Sequence, residues 1–128
     1  MDDELRKMIC DHMEKGFLEN IIDMLKHDKT LYPAIIDMVK DERLRVRIGA
    51  TALVEELVKE RRDELVEFIP EISKLLEDPN PTIRGDGANL LAIIKHNDGL
   101  SFLNAKYDDP DAAARTLIRE AIEDIRQN

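Results

Sequence analysis

The segment from Asp78 to Ile94 carries a pattern that recurs on both sides of it, and this recurrence constrains the fold more than any other feature of the chain. An aspartate is followed by an apolar residue at the fifth position and an arginine at the sixth, and apolar residues then recur at helical intervals. Pro79 and Pro81 prevent a preceding helix from continuing and suit the first turn of the next one. The pattern therefore predicts a helix, a short turn and a second helix.

The same offsets occur in three copies. The aligned pairs are Asp41 and Arg47, Asp78 and Arg84, and Asp109 and Arg115. The arginines are 37 and 31 residues apart, which lies within the spacing of stacked helical-pair repeats. Pro33 and Pro70 each stand eight residues before the aligned aspartate, so the preceding helices also correspond. We therefore predict a single domain over residues 1–128 with about four units, approximately 1–29, 30–62, 63–98 and 99–128.

A proline in the first helix, an Asp-Pro-x-x-x-(Val/Ile)-Arg turn and an apolar second helix resemble HEAT repeats over residues 31–127. The resemblance implies an all-α fold, a right-handed α-solenoid of about four stacked antiparallel helix pairs. It also implies that the aligned aspartates and arginines form a structural ladder between neighbouring repeats, and that the second helices line a concave surface. Two positions depart from the family pattern: Glu42 replaces the usual proline, and Gly87 stands where alanine is usual.

The first unit and the helix boundaries are indicated by weaker sequence patterns. Shifting the repeat back by 32 residues places Lys15 at the arginine position and Leu18, Ile21, Ile22 and Leu25 at the apolar positions. We interpret residues 1–29 as a degenerate first repeat, because terminal repeats are often atypical. Thr30 is a predicted N-cap, and Gly99 is expected to end a helix in a left-handed conformation. A helix near 99–107 would place Tyr107 at an inward, apolar position.

Composition and charge limit the classes of partner. With 43% hydrophobic residues, the chain can form one continuous core. Its formal net charge of −9 argues against general nucleic-acid binding, because affinity for phosphates comes largely from lysine and arginine clusters. Cys10 is the single cysteine and cannot form an internal disulfide. No long apolar run or signal-peptide pattern occurs, so we expect a cytoplasmic protein that does not bind a membrane.

At about 100° per residue, the side of each second helix opposite its apolar face should contribute to one exposed surface. The candidate partner-binding residues on it are Arg45, Ile48, Ala52, Glu55, Asn89, Ala92, His96, Glu120 and Glu123. The middle of this surface is small and apolar, with Gly85 also in it, and its rim is acidic. Such a surface favours a docked helix or peptide, and the rim favours a basic one. A nearly equal alternative is that the small residues only let adjacent second helices approach closely.

Catalysis is the alternative function, as in HEAT-like lyases or metal-dependent enzymes. Asp23 and His27 lie four residues apart, and Glu55 and His96 fall at related positions one and two repeats later. A metal site needs three or four converging ligands, however, and one such pair is common by chance. The aligned arginines could also receive anions, but their regular offset from the aspartates favours the structural ladder.

DNA binding, as in HEAT-like glycosylases, would require a basic concave face. Glu55, Glu120 and Glu123 oppose such a face. We therefore predict a non-enzymatic scaffold or adaptor that binds another protein, with no catalytic residue, cofactor or metal ligand.

Overall fold

The computed structural model describes residues 1–127, which contain eight α-helices and no β-strand. The predicted all-α class is confirmed, whereas the solenoid arrangement stays a prediction. The chain forms two compact units, Met1–Glu64 and Leu65–Asn128, which we term the N-terminal and C-terminal units.

The N-terminal unit is built from four helices. Asp2 begins the first helix, because its carboxylate accepts a hydrogen bond from the backbone N–H of Leu5 at 2.8 Å. Gly16 separates the first two helices with φ of +93°, a conformation that glycine adopts without a steric penalty. The helices are α1 (Asp3–Glu14), α2 (Leu18–His27), α3 (Pro33–Lys40) and α4 (Leu44–Glu67), and the last three residues of α4 belong to the C-terminal unit.

The connection between α2 and α3 differs from the expected one. A 3-10 turn covers Lys29–Leu31, and the Asp28 carboxylate accepts a hydrogen bond from the backbone N–H of Thr30 at 3.0 Å. The predicted N-cap at Thr30 is therefore wrong. The Asp28 carboxylate closes the turn on the backbone two residues ahead, as aspartate commonly does.

Helix α4 contains one non-helical residue, Arg61, with φ −130° and ψ 33°. Its guanidinium Nε donates to the Lys26 carbonyl at 2.8 Å, and Lys26 Nζ pairs with the Glu60 carboxylate at 3.0 Å. Arg61 thereby satisfies a carbonyl in the last turn of α2, where a positive charge is also favoured by the helix dipole. The charged run Lys59–Glu64, which predicts a helix end, contains this break, where two helices meet at a kink.

The C-terminal unit begins with a short helix that a 3-10 turn prolongs to Glu77. Pro70 occupies the first turn of this helix, so it marks a helix start and does not bend a longer helix. The helices that begin at Pro81 and Ala112 follow short turns capped by Asn80 and Asp111. The helices are α5 (Ile69–Ser73), α6 (Pro81–Ile94), α7 (Leu100–Asn104) and α8 (Ala112–Arg126).

Two predictions about the end of α6 and the length of α7 are wrong. Lys95, with φ of 54°, takes the left-handed conformation that ends α6, while Gly99 has φ of −80° and leads into α7. Tyr107 is exposed because α7 ends at Asn104 and does not carry it inward. Its ring instead lies under the Arg119 guanidinium, 4.0 Å from the ring centroid.

The three aligned turns share one local geometry. In each, the aspartate carboxylate accepts a hydrogen bond from the backbone N–H two residues ahead at 2.9 Å. The backbone N–H of each aspartate also donates to the carbonyl three residues behind, at 3.1 to 3.2 Å. The aspartates are Asp41, Asp78 and Asp109. The alignment of the sequence therefore corresponds to a repeated structural turn.

The arginines of two repeats also make one equivalent contact. Arg84 donates to the Asp78 carbonyl and Arg115 donates to the Asp109 carbonyl, both at 2.9 Å and both six residues back. This contact joins the second helix of a repeat to the turn that precedes it and satisfies a part-buried carbonyl of the turn.

Candidate functional site

An open groove lies on the N-terminal unit between α2 and α4, with a volume of about 580 Å³. These are the second helices of the first two predicted repeats. The two helices run in the same direction, since Arg45 at the start of α4 contacts Glu14, shortly before α2, while Lys26 near the end of α2 pairs with Glu60 further along α4. The lining residues define the acidic groove: Leu18, Glu19, Ile22, Asp23, Lys26, Ala52, Glu55 and Glu56.

The acidic groove combines an apolar floor with a charged rim. Leu18, Ile22 and Ala52 are half-buried, so each presents part of an apolar side chain to the open space. Glu19, Asp23, Glu55 and Glu56 supply carboxylates, against which Lys26 is one cation. The local potential is therefore negative, and an approaching cation is attracted.

The cations nearest the rim already have partners. Lys26 Nζ lies 3.0 Å from a Glu60 carboxylate oxygen, and this ammonium lowers the pKa of Glu60. Lys59 Nζ donates to Glu56 at 2.9 Å. Asp23 and Glu55 are both exposed. These two carboxylates can meet a basic group without first breaking a lysine pair.

The exposed face of α4 continues beyond the groove towards the start of the helix. Leu44 is 63% exposed and Ile48 is 59% exposed, and they are the two most exposed of the large hydrophobic side chains in residues 1–127. Arg45 lies beside them and donates from Nη1 to the Glu14 carbonyl at 3.3 Å. Of the predicted partner-binding residues, the structure thus places Arg45, Ile48, Ala52 and Glu55 along one helix.

In the C-terminal unit, the predicted surface residues differ in how exposed they are. Asn89 is exposed and Ala92 half-buried on α6, and Glu120 and Glu123 are exposed on α8. Gly85, expected in the middle of an exposed surface, is buried, since a Cβ at this position would lie 2.7 Å from Cδ1 of Leu117 on α8. At Gly85 the small residue serves close helix packing, which was the alternative interpretation.

His96 does not lie on the second-helix surface. Helix α6 ends at Ile94, and the left-handed Lys95 turns the chain away before His96. The His96 ring Nδ1 accepts a hydrogen bond from the Asp98 backbone N–H at 3.0 Å, so the side chain caps the following 3-10 turn.

The turn region of the C-terminal unit holds a buried ion pair. Arg84 binds the Asp109 carboxylate with two parallel hydrogen bonds, Nε to Oδ2 at 2.8 Å and Nη2 to Oδ1 at 3.0 Å. The Arg84 side chain is 13% exposed and that of Asp109 2% exposed. The hydrogen bonds from Arg84 lower the pKa of Asp109. An arginine of one predicted repeat thus binds the aspartate of the next.

Around this pair lies a pocket of about 440 Å³ formed by the two turns. Lys106 Nζ pairs with Glu77 at 2.7 Å near it. Because Asp109 neutralises Arg84 through both of its oxygens, the pair has few groups left for a ligand. We assign this contact a structural role.

The corresponding carboxylate of the N-terminal unit, Asp41, is bound by Arg43. Arg43 contacts Asp41 through Nε and Nη2 and reaches Asp11 through Nη1, at 2.9 to 3.0 Å. Lys15, at the aligned arginine position of the first repeat, is exposed. The sequence interpretation missed Arg43. The available signal was its place two residues after the aspartate, where the other repeats carry the capping residues Asn80 and Asp111.

The histidine and cysteine positions do not form a metal site in the structure. The His27 Nδ1 atom lies 2.8 Å from the Asp23 carbonyl and 3.5 Å from its carboxylate, and both side chains are exposed. Within residues 1–127, no three His, Cys, Asp or Glu side chains are grouped to hold a metal ion. Cys10 is buried, and burial raises its thiol pKa to about 11, which disfavours the nucleophilic thiolate.

No helix in the described range 1–127 combines the length and the apolar character needed to cross a bilayer. Comparison of the chain with protein-family models, with curated proteins and with solved structures gave no match.

Proposed function

We propose that this chain is a non-enzymatic interaction module that binds a basic helix or peptide of another protein in the acidic groove of its N-terminal unit. One observation carries the proposal. An open groove with an apolar floor is lined by four carboxylates and one lysine, and that lysine is paired with Glu60.

The two parts of the groove would contribute differently to binding. The half-buried floor at Leu18, Ile22 and Ala52 offers apolar area that a partner side chain can remove from water. The exposed carboxylates Asp23 and Glu55 would mainly accelerate association and select for basic partners. An interaction of this kind is salt-sensitive, because exposed charges are screened over about 10 Å at 0.1 M salt.

We also propose that the chain consists of HEAT-like repeats stacked as a solenoid. The support is the identical aspartate turn in three copies, together with the equivalent arginine contacts of Arg84 and Arg115. In this proposal Asn89, Ala92, Glu120 and Glu123 stay predicted contributors on the second helices of the later repeats.

The test compares two pairs of charge-neutralising substitutions. A library of fluorescent 12-residue peptides with three to five arginines or lysines would be titrated into the intact chain at low salt. Asp23→Asn with Glu55→Gln changes the groove, and Asp98→Asn with Asp124→Asn makes the same charge change at exposed sites of the C-terminal unit. We expect the groove pair to weaken the best peptides about tenfold, equivalent to about 1.4 kcal/mol. Equal weakening by both pairs would show only a general effect of net charge and would contradict the proposal.

A steric substitution tests the floor of the groove. Ala52→Arg inserts a large cation into the groove, while Ala92→Arg makes the same change on α6. We expect Ala52→Arg alone to abolish peptide binding, with the circular dichroism spectrum unchanged. Loss of binding with Ala92→Arg alone would place the site on the C-terminal unit.

A further inference from the structure

We propose that the bound segment is an amphipathic helix of about 11 residues that lies along α4, with its large apolar side chains on Leu44 and Ile48 and its basic side chains in the acidic groove. This inference rests on the proposed function and adds the form and the direction of the partner. It follows from how the exposed face of α4 changes along its length.

One face of α4 carries both kinds of contact. At about 100° per residue, Leu44, Ile48, Ala52 and Glu55 fall within an arc of about 80°. The first two are largely exposed aliphatic side chains, and the last two line the acidic groove. A ligand that follows this face therefore meets an apolar section and then an acidic section.

The acidic section receives charge from both helices. The α4 residues that line the groove begin at Ala52, so Glu19 and Asp23 of α2 accompany Glu55 and Glu56 and not the first turns of α4. The negative potential is therefore concentrated at one end of the face. A segment with mixed apolar and basic residues would place some cations over Leu44 and Ile48, where no benefit from the carboxylates is available.

The length of the face sets the length of the segment. Leu44 and Glu55 are eleven residues apart on the helix, which corresponds to about 16 Å at 1.5 Å per residue. A partner helix of about 11 residues spans the same distance.

A helical form of the partner follows from the hydrogen bonding of the groove. The backbone groups of α2 and α4 beside the groove are used within their own helices, so they cannot pair with an extended chain. A helix satisfies its own backbone groups and presents only side chains.

The test is a selection of phage-displayed 14-residue peptides on three forms of the full chain. These are the unmodified chain, Leu44→Ser with Ile48→Ser, and Asp23→Asn with Glu55→Gln. Leu44 and Ile48 are mostly exposed, so their replacement should leave the helical circular dichroism signal unchanged. We expect peptides enriched on the unmodified chain to carry an apolar block at one end and arginines or lysines at the other. Each block should disappear on the variant that removes its own contact.

A spin label on the protein tests the direction of the bound peptide independently. Cys10 is buried, so a label will react with a cysteine introduced by Leu44→Cys or by Glu56→Cys. The label at position 44 should broaden the NMR signals of the apolar block of a selected peptide, and the label at position 56 those of the basic block.

Different outcomes separate the two proposals. Enriched peptides with intermixed residues, or peptides that bind equally well after Leu44→Ser with Ile48→Ser, would overturn the orientation while keeping the groove as the site. If none of the three forms enriches a peptide, the proposed function is overturned as well. A dimer in light scattering that Leu44→Ser with Ile48→Ser dissociates would replace the partner helix by a second copy of this chain.

Discussion

Neighbouring second helices approach each other closely in the C-terminal unit and leave an open groove in the N-terminal unit. Between α6 and α8, Gly85 accommodates Leu117, whose Cδ1 atom occupies the space that a Cβ at position 85 would need. Between α2 and α4, Ala52 lines a groove with Leu18 and Ile22, and the polar contacts lie at one end, where Lys26 pairs with Glu60. The small residue at position 85 therefore serves helix packing, whereas the small residue at position 52 lines open space.

The two units also differ in how they bind the turn aspartate. Asp109 and Arg84 form a buried, two-pronged pair, whereas Arg43 is 39% exposed and divides its guanidinium between Asp41 and Asp11. A charge that is removed from water depends strongly on its partner, and a more exposed one depends on it less. Loss of Asp109 should therefore lower the stability of the protein more than loss of Asp41.

The largest expected effect comes from this pair. Asp109→Ala should destabilise the protein by about 3 kcal/mol, since it leaves the Arg84 guanidinium largely buried with less compensation. Asp41→Ala should cost about 1 kcal/mol, because Arg43 retains Asp11 and more contact with water. Both substitutions remove the equivalent hydrogen bond from a backbone N–H of the turn to the aspartate carboxylate, so urea unfolding followed by circular dichroism compares the guanidinium contacts.

A double substitution provides the control for this prediction. Adding Arg84→Met to Asp109→Ala removes the unpaired charge, so part of the lost stability should return. Equal costs for Asp109→Ala and Asp41→Ala would show that the buried and exposed pairs are energetically equivalent, contrary to the comparison.

The second prediction concerns two glycines of α6. A Cβ at Gly87 would lie 2.7 Å from the Cβ of Leu75, which cannot move without its backbone. Gly87→Ala should destabilise by about 1 kcal/mol, because overpacking of about 2 kcal/mol exceeds the helix propensity gain of about 1 kcal/mol. Gly85→Ala meets only the end of the Leu117 side chain, which can rotate, so thermal unfolding should show no loss. A larger loss at Gly85 than at Gly87 would contradict this account.

The third prediction is a pH dependence. The hydrogen bonds from Arg84 lower the pKa of Asp109 in the folded state below its unfolded value of about 3.9. The stabilisation is therefore fully present above that unfolded value and is lost as pH falls through the folded pKa. In urea unfolding at pH 7, 5, 4 and 3, the stability gap between the unmodified chain and Asp109→Asn should be constant down to about pH 5 and then shrink. A stability difference between the two proteins that increases at low pH would contradict this prediction.

The sequence predicted the positions of the turns better than the partners of the side chains. The aspartate offsets define a turn that depends only on local backbone contacts, and Asp41, Asp78 and Asp109 all form it. The pair of Arg84 with Asp109 joins residues 25 positions apart and depends on how neighbouring elements pack. The contact of Arg43 with Asp41 spans only two residues, but Arg43 lies outside the aligned arginine positions, so the alignment did not single it out.

The helical periodicity gave a wrong position for His96, because helix α6 ends before this residue. The wheel that placed His96 on the binding surface assumed a helix through that residue, but Lys95 leaves the helical conformation. A non-glycine residue in the left-handed region is uncommon, so Gly99 was the natural expectation for the helix stop. The open groove itself depends on how far apart α2 and α4 lie, which spacing along the chain does not specify.

The smallest effect should be that of the groove carboxylates on stability. Asp23→Asn with Glu55→Gln should change the free energy of unfolding by less than about 0.5 kcal/mol, because both side chains are exposed. A stabilising change near that limit would be consistent with relief of repulsion among the four carboxylates. Destabilisation above about 1 kcal/mol would mean that the groove is maintained for structure rather than for binding.

Chemical-shift mapping by NMR tests the central claim most directly. The tightest-binding basic peptide from the fluorescence screen would be titrated into the ¹⁵N-labelled intact chain. We predict that the largest amide shifts fall at residues 18–26 of α2 and 52–56 of α4, with smaller ones near residue 48. Shifts confined to α6 and α8, or scattered weakly over every acidic surface, would contradict the assignment of the groove as the binding site.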